Sequence, residues 1–319
     1  MHVTVNSGTE IATTQQEGGT GPESAGMELG MPGKGMVVLW NLSIQKAVAV
    51  VVPNVEAGMT YGTVLGFGVC RKTSDPKIVK IVFIDSWDEM ETLSCHPNHV
   101  EVFALSEGVW RSPLGNVPRK SLHFDACEGS VAIDGVVYWL ATDRIMTHAG
   151  PNYYNLIVSF DATSEEFGEV HLPHRLSQVD DYNLSISKLR NHVVILELHR
   201  DEKGYGVWMM QSDVCIPFFV DSFVRIFSIN SPDASVKGFR KTGEPVIELM
   251  EDGHRPLVVY DPSSTNVIFL ENDVYANSFC VYPYVESLLL LDQPDFTIYD
   301  NGKATLNEEL AREAFEAYM

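Results

Sequence analysis

The densest group of potential metal donors in the chain is Cys95-His96-Pro97-Asn98-His99, three nitrogen or sulfur ligands within five residues. A structural zinc site needs a fourth ligand and a fixed tetrahedral geometry, usually announced by paired Cys-Xaa-Xaa-Cys or His motifs. Neither motif occurs, and Cys70, Cys127, Cys215 and Cys280 are scattered singly, so the segment reads as a polar loop between strands. Gly66-Phe67-Gly68 has two glycines of a dinucleotide loop but lacks the third glycine and the following helix, which leaves sheet backbone. Glu165-Glu166 and Asp180-Asp181 are adjacent carboxylates, yet strand neighbours point to opposite faces and cannot form an acid/base couple by themselves. No Gly-Xaa-Ser-Xaa-Gly elbow presents a nucleophile. No catalytic residue, cofactor or metal is assigned, and the chain reads as a non-enzyme.

What must position any other site is a repeated hairpin. Apolar stretches end in an aromatic or apolar residue and a turn former: Val-Val-Leu-Trp-Asn at 37–41, Val-Glu-Val-Phe at 100–103, Ile-Val-Ser-Phe-Asp at 157–161, Leu-Val-Val-Tyr-Asp at 257–261 and Phe-Thr-Ile-Tyr-Asp at 296–300. The Asp or Asn oxygen can accept from backbone N–H groups two residues on and bend the chain. A second hairpin precedes several of these, turning at Asp134-Gly135, Arg190-Asn191 and Thr242-Gly243. Asp-Gly suits a two-residue turn with positive φ. Two successive hairpins give four antiparallel strands, one propeller blade, and the spacing is near the roughly 40–50 residues of known propeller repeats.

The expected fold is all-β, a kelch-like β-propeller of about six modules with incomplete terminal blades and a short C-terminal helix. Residues 1–35, rich in Gly, Thr, Glu and Ser, are expected to be a disordered tail. The propeller is placed at 36–301 and an acidic helix or tail at 302–319, the helix running from Thr305 to Ala317. The modules are 62–113, 122–173, 184–229 and 235–271, with half-modules at 36–53 and from Ser278 to about Asn301. The half-modules are expected to complete one blade, so that deleting 296–319 would speed hydrogen exchange at 37–41. Trp40, Trp110, Trp139 and Trp208 fall where blades need bulk, and are assigned to packing.

Composition narrows the function. The chain has 319 residues, a net charge of −21 and no basic cluster beyond Lys237–Lys241, which argues against nucleic acid. Five cysteines without a secretion signal or an apolar span suit a reduced protein of the cytoplasm or nucleus, away from membranes.

Val38 to Val48 (Val-Leu-Trp-Asn-Leu-Ser-Ile-Gln-Lys-Ala-Val) resembles a family signature, Leu-Trp-Asn-Pro-Ser followed by a basic residue. Gly66-Phe67-Gly68, Thr73 to Ile81, Val100 to Ser106 with Trp110-Arg111, Ile133 to Ala141, and Ile157 to Asp161 closing at Glu165–Pro173 follow in that family's order. The chain is thus similar, over roughly 37–300, to the associated domain of plant F-box and F-box/kelch-repeat proteins. The resemblance implies a β module that recognises a protein substrate for a cullin–RING ubiquitin ligase, in ubiquitin-dependent degradation. In that family an F-box docks a Skp-type adaptor. Residues 1–36 lack its amphipathic helices and Leu-Pro start, so the adaptor is a partner only if an F-box is supplied elsewhere. The alternatives are a truncated, non-functional or decoy fragment, and a glycan-binding or enzymatic propeller. Partner contacts are expected on inter-strand loops: Tyr153 and Tyr154 in 150–154, His174 and Arg175 in 171–175, and Asp181 and Tyr182.

Overall fold

The structure is a computed structural model that describes residues 2–6, 9–13, 35–41, 44, 46–53, 61–84, 99–124, 129–147, 150–180, 183–199, 204–211, 222–231, 234–249, 256–270, 288–300 and 302–306. The described residues form five sheets and one short helix. Sheet A holds β1 (His2–Asn6), β2 (Thr9–Thr13), β3 (Gly35–Asn41) and β4 (Lys46–Val52), joined by β22 (Thr297–Asp300) and β23 (Lys303–Leu306). Sheet B is β5 (Tyr61–Val69), β6 (Pro76–Ile84), β7 (His99–Ala104) and β8 (Val109–Arg111). Sheet C is β10 (Val131–Ile133), β11 (Val136–Thr147), β12 (Gly150–Asp161) and β13 (Glu166–His171), with β9 (Leu122–Phe124) beside β11. Sheet D is β14 (Leu184–Leu189), β15 (His192–His199), β16 (Gly204–Gln211) and β17 (Ser222–Ile229). Sheet E is β18 (Ala234–Phe239), β19 (Pro245–Leu249), β20 (Leu257–Tyr260) and β21 (Val267–Phe269).

Period-2 alternation sends each strand's apolar residues to the two neighbouring sheets in turn. Val37, Leu39 and Val50 of sheet A meet Phe67, Ile78 and Phe103 of sheet B. The opposite face of B, with Val64, Val79 and Phe83, meets Val137, Trp139 and Phe160 of C. Leu140 and Ile157 then meet Ile186 and Ile195 of D, and Val194 and Val207 meet Ile247 and Tyr260 of E. The first strands of successive sheets touch, β5 with β10, β10 with β14, and β14 with β18, as the inner strands of a propeller do. Indole N–H groups cross two seams: Trp110 Nε1 donates to the Val51 carbonyl at 2.9 Å and Trp139 Nε1 to that of Leu65 at 3.1 Å.

The turns follow their residues. Asp134 and Gly135 have φ of 49° and 76°, the paired positive values of the two-residue hairpin turn expected there. These turns, at 70–75, 134–135, 190–191 and 240–244, lie together at one end of the blades, the turn end. The link 172–183 lies at the other, the link end, while 112–121 starts beside Glu165 at the turn end and runs along β13 toward the link end.

Three expectations need correction. Residues 1–35 are not irregular throughout, since β1 and β2 pair with each other and β2 with β3. Their β-branched residues, Val3, Thr4, Val5, Thr9, Ile11 and Thr13, favour strand, and a two-stranded start to sheet A offers an edge for them. Thr305 and Leu306 belong to strand β23, while residues 307–319 of the expected helix lie outside the described residues. The two ends of the chain do share a sheet, but β22 runs parallel to β4, pairing Thr297 with Val48 and Tyr299 with Val50, and does not touch β3. The first and last half-modules thereby merge into one sheet.

That join explains the Trp-Asn-(Xaa)4-Lys signature. Asn41 is fully buried and its Nδ2 donates to the Leu289 carbonyl at 2.6 Å. Lys46 Nζ donates to the carbonyls of Leu291 and Gln293 at 2.5 and 2.8 Å, and the Ala47 N–H to Asp295 Oδ1 at 3.0 Å. Deleting 288–306 is therefore expected to speed amide exchange at Val48–Val50 more than at 37–41. Equal protection of β4 with and without the segment would contradict the pairing.

Candidate functional site

The link end of sheets C and D carries most of the residues expected to meet a partner. Strands β11 and β12 pair along their whole length, from Val136 with Asp161 to Thr147 with Gly150. Strand β13 accompanies β12 only along Leu156–Asp161. Beyond the pairing of β9 with Ala141–Asp143, the remainder is a two-stranded arm of 144–147 with 150–153. Residues 150–154 are thus strand, not the loop their Gly-Pro-Asn start suggested. Pro151 is tolerated because that stretch of β12 has an open edge, where a missing N–H breaks no ladder.

Alternation splits the two tyrosines. Tyr153 shares its face with Asn155, Thr142 and Arg144 on the side of sheet D. Tyr154 shares the other with Asn152, Ile145 and Asp143, and its hydroxyl accepts from Asn152 Nδ2 at 2.8 Å. Ile145, Tyr153 and Tyr154 are 39%, 45% and 37% exposed, so the tip of the arm is apolar.

On the sheet D side, the arm is fixed to helix α1 (His174–Ser177). Buried Asn155 donates through Nδ2 to the carbonyls of Val179 at 2.6 Å and Leu176 at 3.3 Å, and accepts from Thr142 Oγ1 at 3.0 Å. Leu176 is fully buried in the C–D core, which anchors the helix. His174 is exposed. Arg175 Nε donates to Glu197 Oε1 at 3.2 Å, and its guanidinium lies 5.6 Å from the Trp208 ring. Trp208 Nε1 donates to Glu197 Oε2 at 2.9 Å, with His199 Nε2 3.3 Å from the same oxygen. Gly206 pairs with Glu197 and leaves the space these side chains fill. A Cβ there would lie 3.0 Å from His199 Nε2 and 3.1 Å from Trp208 Nε1. Arg175 therefore has one face committed internally and its outer part open. Asp181 and Tyr182 lie outside the described residues.

On the sheet B side, Arg119 Nη1 donates to Asp143 Oδ2, and Nε and Nη2 clasp the two oxygens of Glu169, all at 2.8 Å. The hydrogen bonds it donates to Glu169 push the guanidinium further up its range against the opposing effect of burial, and hold the base of the arm.

The sequence reading singled out Tyr153, Tyr154, His174 and Arg175, the last two on a loop where the chain forms helix α1, and did not single out Asn155, Ile145 or Glu197. A period-2 reading of 150–161 would have placed Asn155 on the buried side, where an amide needs partners. Chemically the arrangement offers aromatic and apolar tips on a braced arm, rimmed by charges, and no catalytic grouping among the described residues. The Cys95–Asn98 part of the possible metal cluster lies outside the described residues, and His99 opens β7. Among the described residues no group of three His, Cys, Asp or Glu could hold a metal ion, and no helix is long and apolar enough to cross a membrane.

Comparison with known proteins agrees with the order of motifs. The chain is similar to the F-box protein CPR1 of Arabidopsis thaliana, 28% identical over 270 residues, which is 79% of this chain and 61% of that protein. It thus spans about three fifths of that relative's length. Among solved structures it aligns with a puromycin hydrolase (12% identical, 84% of this chain and 38% of that one, TM-score 0.43). It also aligns with the polysaccharide lyase Uly1 (9% identical, 84% and 71% covered, TM-score 0.41). The model of the F-box associated beta propeller domain matches residues 30–232, more than half of the chain. With blades in the expected order and the signature residues in place, the chain belongs to the F-box associated β-propeller family.

Proposed function

We propose that this chain is a non-catalytic protein-recognition module of the F-box type, which engages a protein substrate at the link end of sheets C and D. The contacts are Tyr153 and Tyr154 on the arm and His174 and Arg175 on α1. The observation that carries the reading is the arm itself, twelve-residue strands outrunning their neighbours and tipped with exposed aromatics. Aromatic and Arg side chains on a rigid base suit a binding hot spot, since little side-chain freedom is lost on contact. In this reading the partner is a substrate for ubiquitin-dependent degradation in the cytoplasm or nucleus. An F-box supplied outside the matched domain would bring the Skp-type adaptor.

The test places a photo-crosslinking residue at Tyr153 or, as a control at the turn end, at Ser263, in plant extract. Adducts from position 153 and not 263 are expected. The Tyr153→Ala/Tyr154→Ala variant should lose about 2 kcal/mol of affinity for the captured partner, roughly 30-fold, with an unchanged melting temperature. Equal labelling from Ser263, or full affinity in the double variant, would place the contact elsewhere.

A further inference from the structure

The turn end of the inner strands gathers cations in a chain where acids outnumber them 43 to 22. The innermost turn of sheet B carries Arg71 and Lys72, the end of β14 and its turn carry Lys188 and Arg190, and the turn after β18 carries Arg240 and Lys241. These turns adjoin. The Arg71 side chain comes within 2.9 Å of the position a Cβ on Gly135 of sheet C would occupy. Lys188 Nζ donates to the Ala132 carbonyl of the neighbouring inner strand at 3.2 Å. Arg190 Nη2 donates to the Thr242 carbonyl of sheet E at 2.5 Å.

The acids among them are largely engaged. Asp75 accepts from the Ser106 N–H and hydroxyl at 2.9 and 2.6 Å, and Glu244 accepts from Thr242 Oγ1. Asp161 pairs with Arg71. Asp134 occupies the two-residue turn of sheet C. Lys72, Arg240 and Lys241 are exposed and form no ion pair among the described residues. Lys188 is more extreme: its ammonium donates to a carbonyl and forms no ion pair among the described residues, and burial pushes it below the usual lysine range.

We infer that this ring of inner turns is a docking site for an acidic peptide segment, with Lys72, Arg240 and Lys241 as outer contacts and Lys188 as the innermost cation. The overall charge of −21 does not forbid it. At physiological salt the Debye length is about 8 Å, so distant carboxylates are screened while the local cations act on a bound anion. Several cations converging around one mouth focus the potential there more than the same charges dispersed. An anion reaching Lys188 also supplies the counter-charge that its half-buried position lacks. The site lies at the opposite end of the blades from the arm of Tyr153 and does not depend on the function proposed for it.

The test uses the full chain and a fluorescein-labelled octaglutamate peptide, with octaglutamine as the neutral probe, followed by anisotropy across a salt series. Octaglutamate should bind, weaken as salt rises, and lose about tenfold or more in affinity in Lys72→Glu/Arg240→Glu/Lys241→Glu. Charge reversals of the same kind placed outside the mouth, Arg225→Glu with Lys303→Glu, should leave binding within about twofold, since charges away from the bound peptide are screened. Tyr153→Ala/Tyr154→Ala should leave it unchanged. Octaglutamine binding as well as octaglutamate, no binding by the native chain, or equal losses in both charge variants would overturn the inference. All three residues of the mouth variant are exposed, so its melting temperature should stay near that of the native chain. A folded variant with native binding would be equally fatal.

Discussion

Replacing Glu165 with alanine is expected to destabilise the protein by about 3–5 kcal/mol, the range for removing one partner of a buried charge cluster. Glu165 ends the β12–β13 turn of sheet C with φ of 58°, and its carboxylate is fully buried. It reaches into the outer edge of sheet B. Lys77 Nζ donates to Oε1 at 2.7 Å, Arg111 donates to both oxygens at 2.6 and 2.8 Å, and the Leu114 N–H to Oε2 at 3.1 Å. Without the carboxylate, Lys77 loses its acceptor and Arg111 keeps only its bonds to Glu107 and the Ser112 carbonyl. Glutamine keeps the shape but not the charge and should fall between alanine and wild type. Melting under chemical denaturant measures both, and a loss under about 1 kcal/mol for alanine would show that water replaces the carboxylate, as at an exposed pair.

The same cluster sets an acid limit. Burial pushes the Glu165 carboxyl up, but Arg111, Lys77 and the Leu114 N–H outweigh it and hold it at about 2, against an ordinary 4.5. Because the folded state holds the proton less tightly than the unfolded chain, its contribution is complete above about pH 4.5 and fades as pH falls toward 2. The full shift corresponds to about 3 kcal/mol, of which about 2 should be gone by pH 3. The stability gap between wild type and Glu165→Gln should therefore narrow on acidification. A gap constant from pH 7 to pH 3 would separate the cluster from the pH dependence.

The legible and illegible parts of this fold divide along one physical line. Local signals were readable. Asp134-Gly135 demanded a positive-φ turn, and the strands flanking Arg190-Asn191, Leu184–Leu189 and His192–His199, sit almost where the sequence placed them. What joins one blade to the next was not. Nothing near Glu165 in sequence announces Lys77, 88 residues away, and nothing near Asn41 announces Leu289, 248 residues on. The parallel join of β22 to β4 belongs to the same class, since edge pairing depends on which strand is left unpartnered in space. The candidate site shows the limit in miniature. Aromatics were found by composition, but their separation onto two faces of an arm required knowing that 150–154 is strand.

Trp139→Ala should cost about 3–5 kcal/mol, unfolding the B–C seam before it changes any binding at the arm. The indole is 1% exposed at the centre of the largest shared core, between Val64, Val79 and Phe83 of one sheet and Val158 and Phe160 of its own. Its ring lies on the backbone of Gly66. A Cβ at that glycine would sit 2.3 Å from Trp139 Cζ2 and 2.7 Å from Val137 Cγ1, so the sheet approaches this closely only because the side chain is absent. The role of Gly66 in Gly-Phe-Gly is therefore packing, not ligand contact. A double-mutant cycle separates this from general fragility. Gly66→Ala alone should destabilise by about 1–3 kcal/mol through overpacking. In a Trp139→Ala background the same methyl enters the vacated space and should cost little or restore some stability, a coupling of at least about 1 kcal/mol. Additive losses would mean that the two residues do not meet. A soluble Trp139→Ala protein with an unchanged melting temperature would go further and remove the indole from the core altogether.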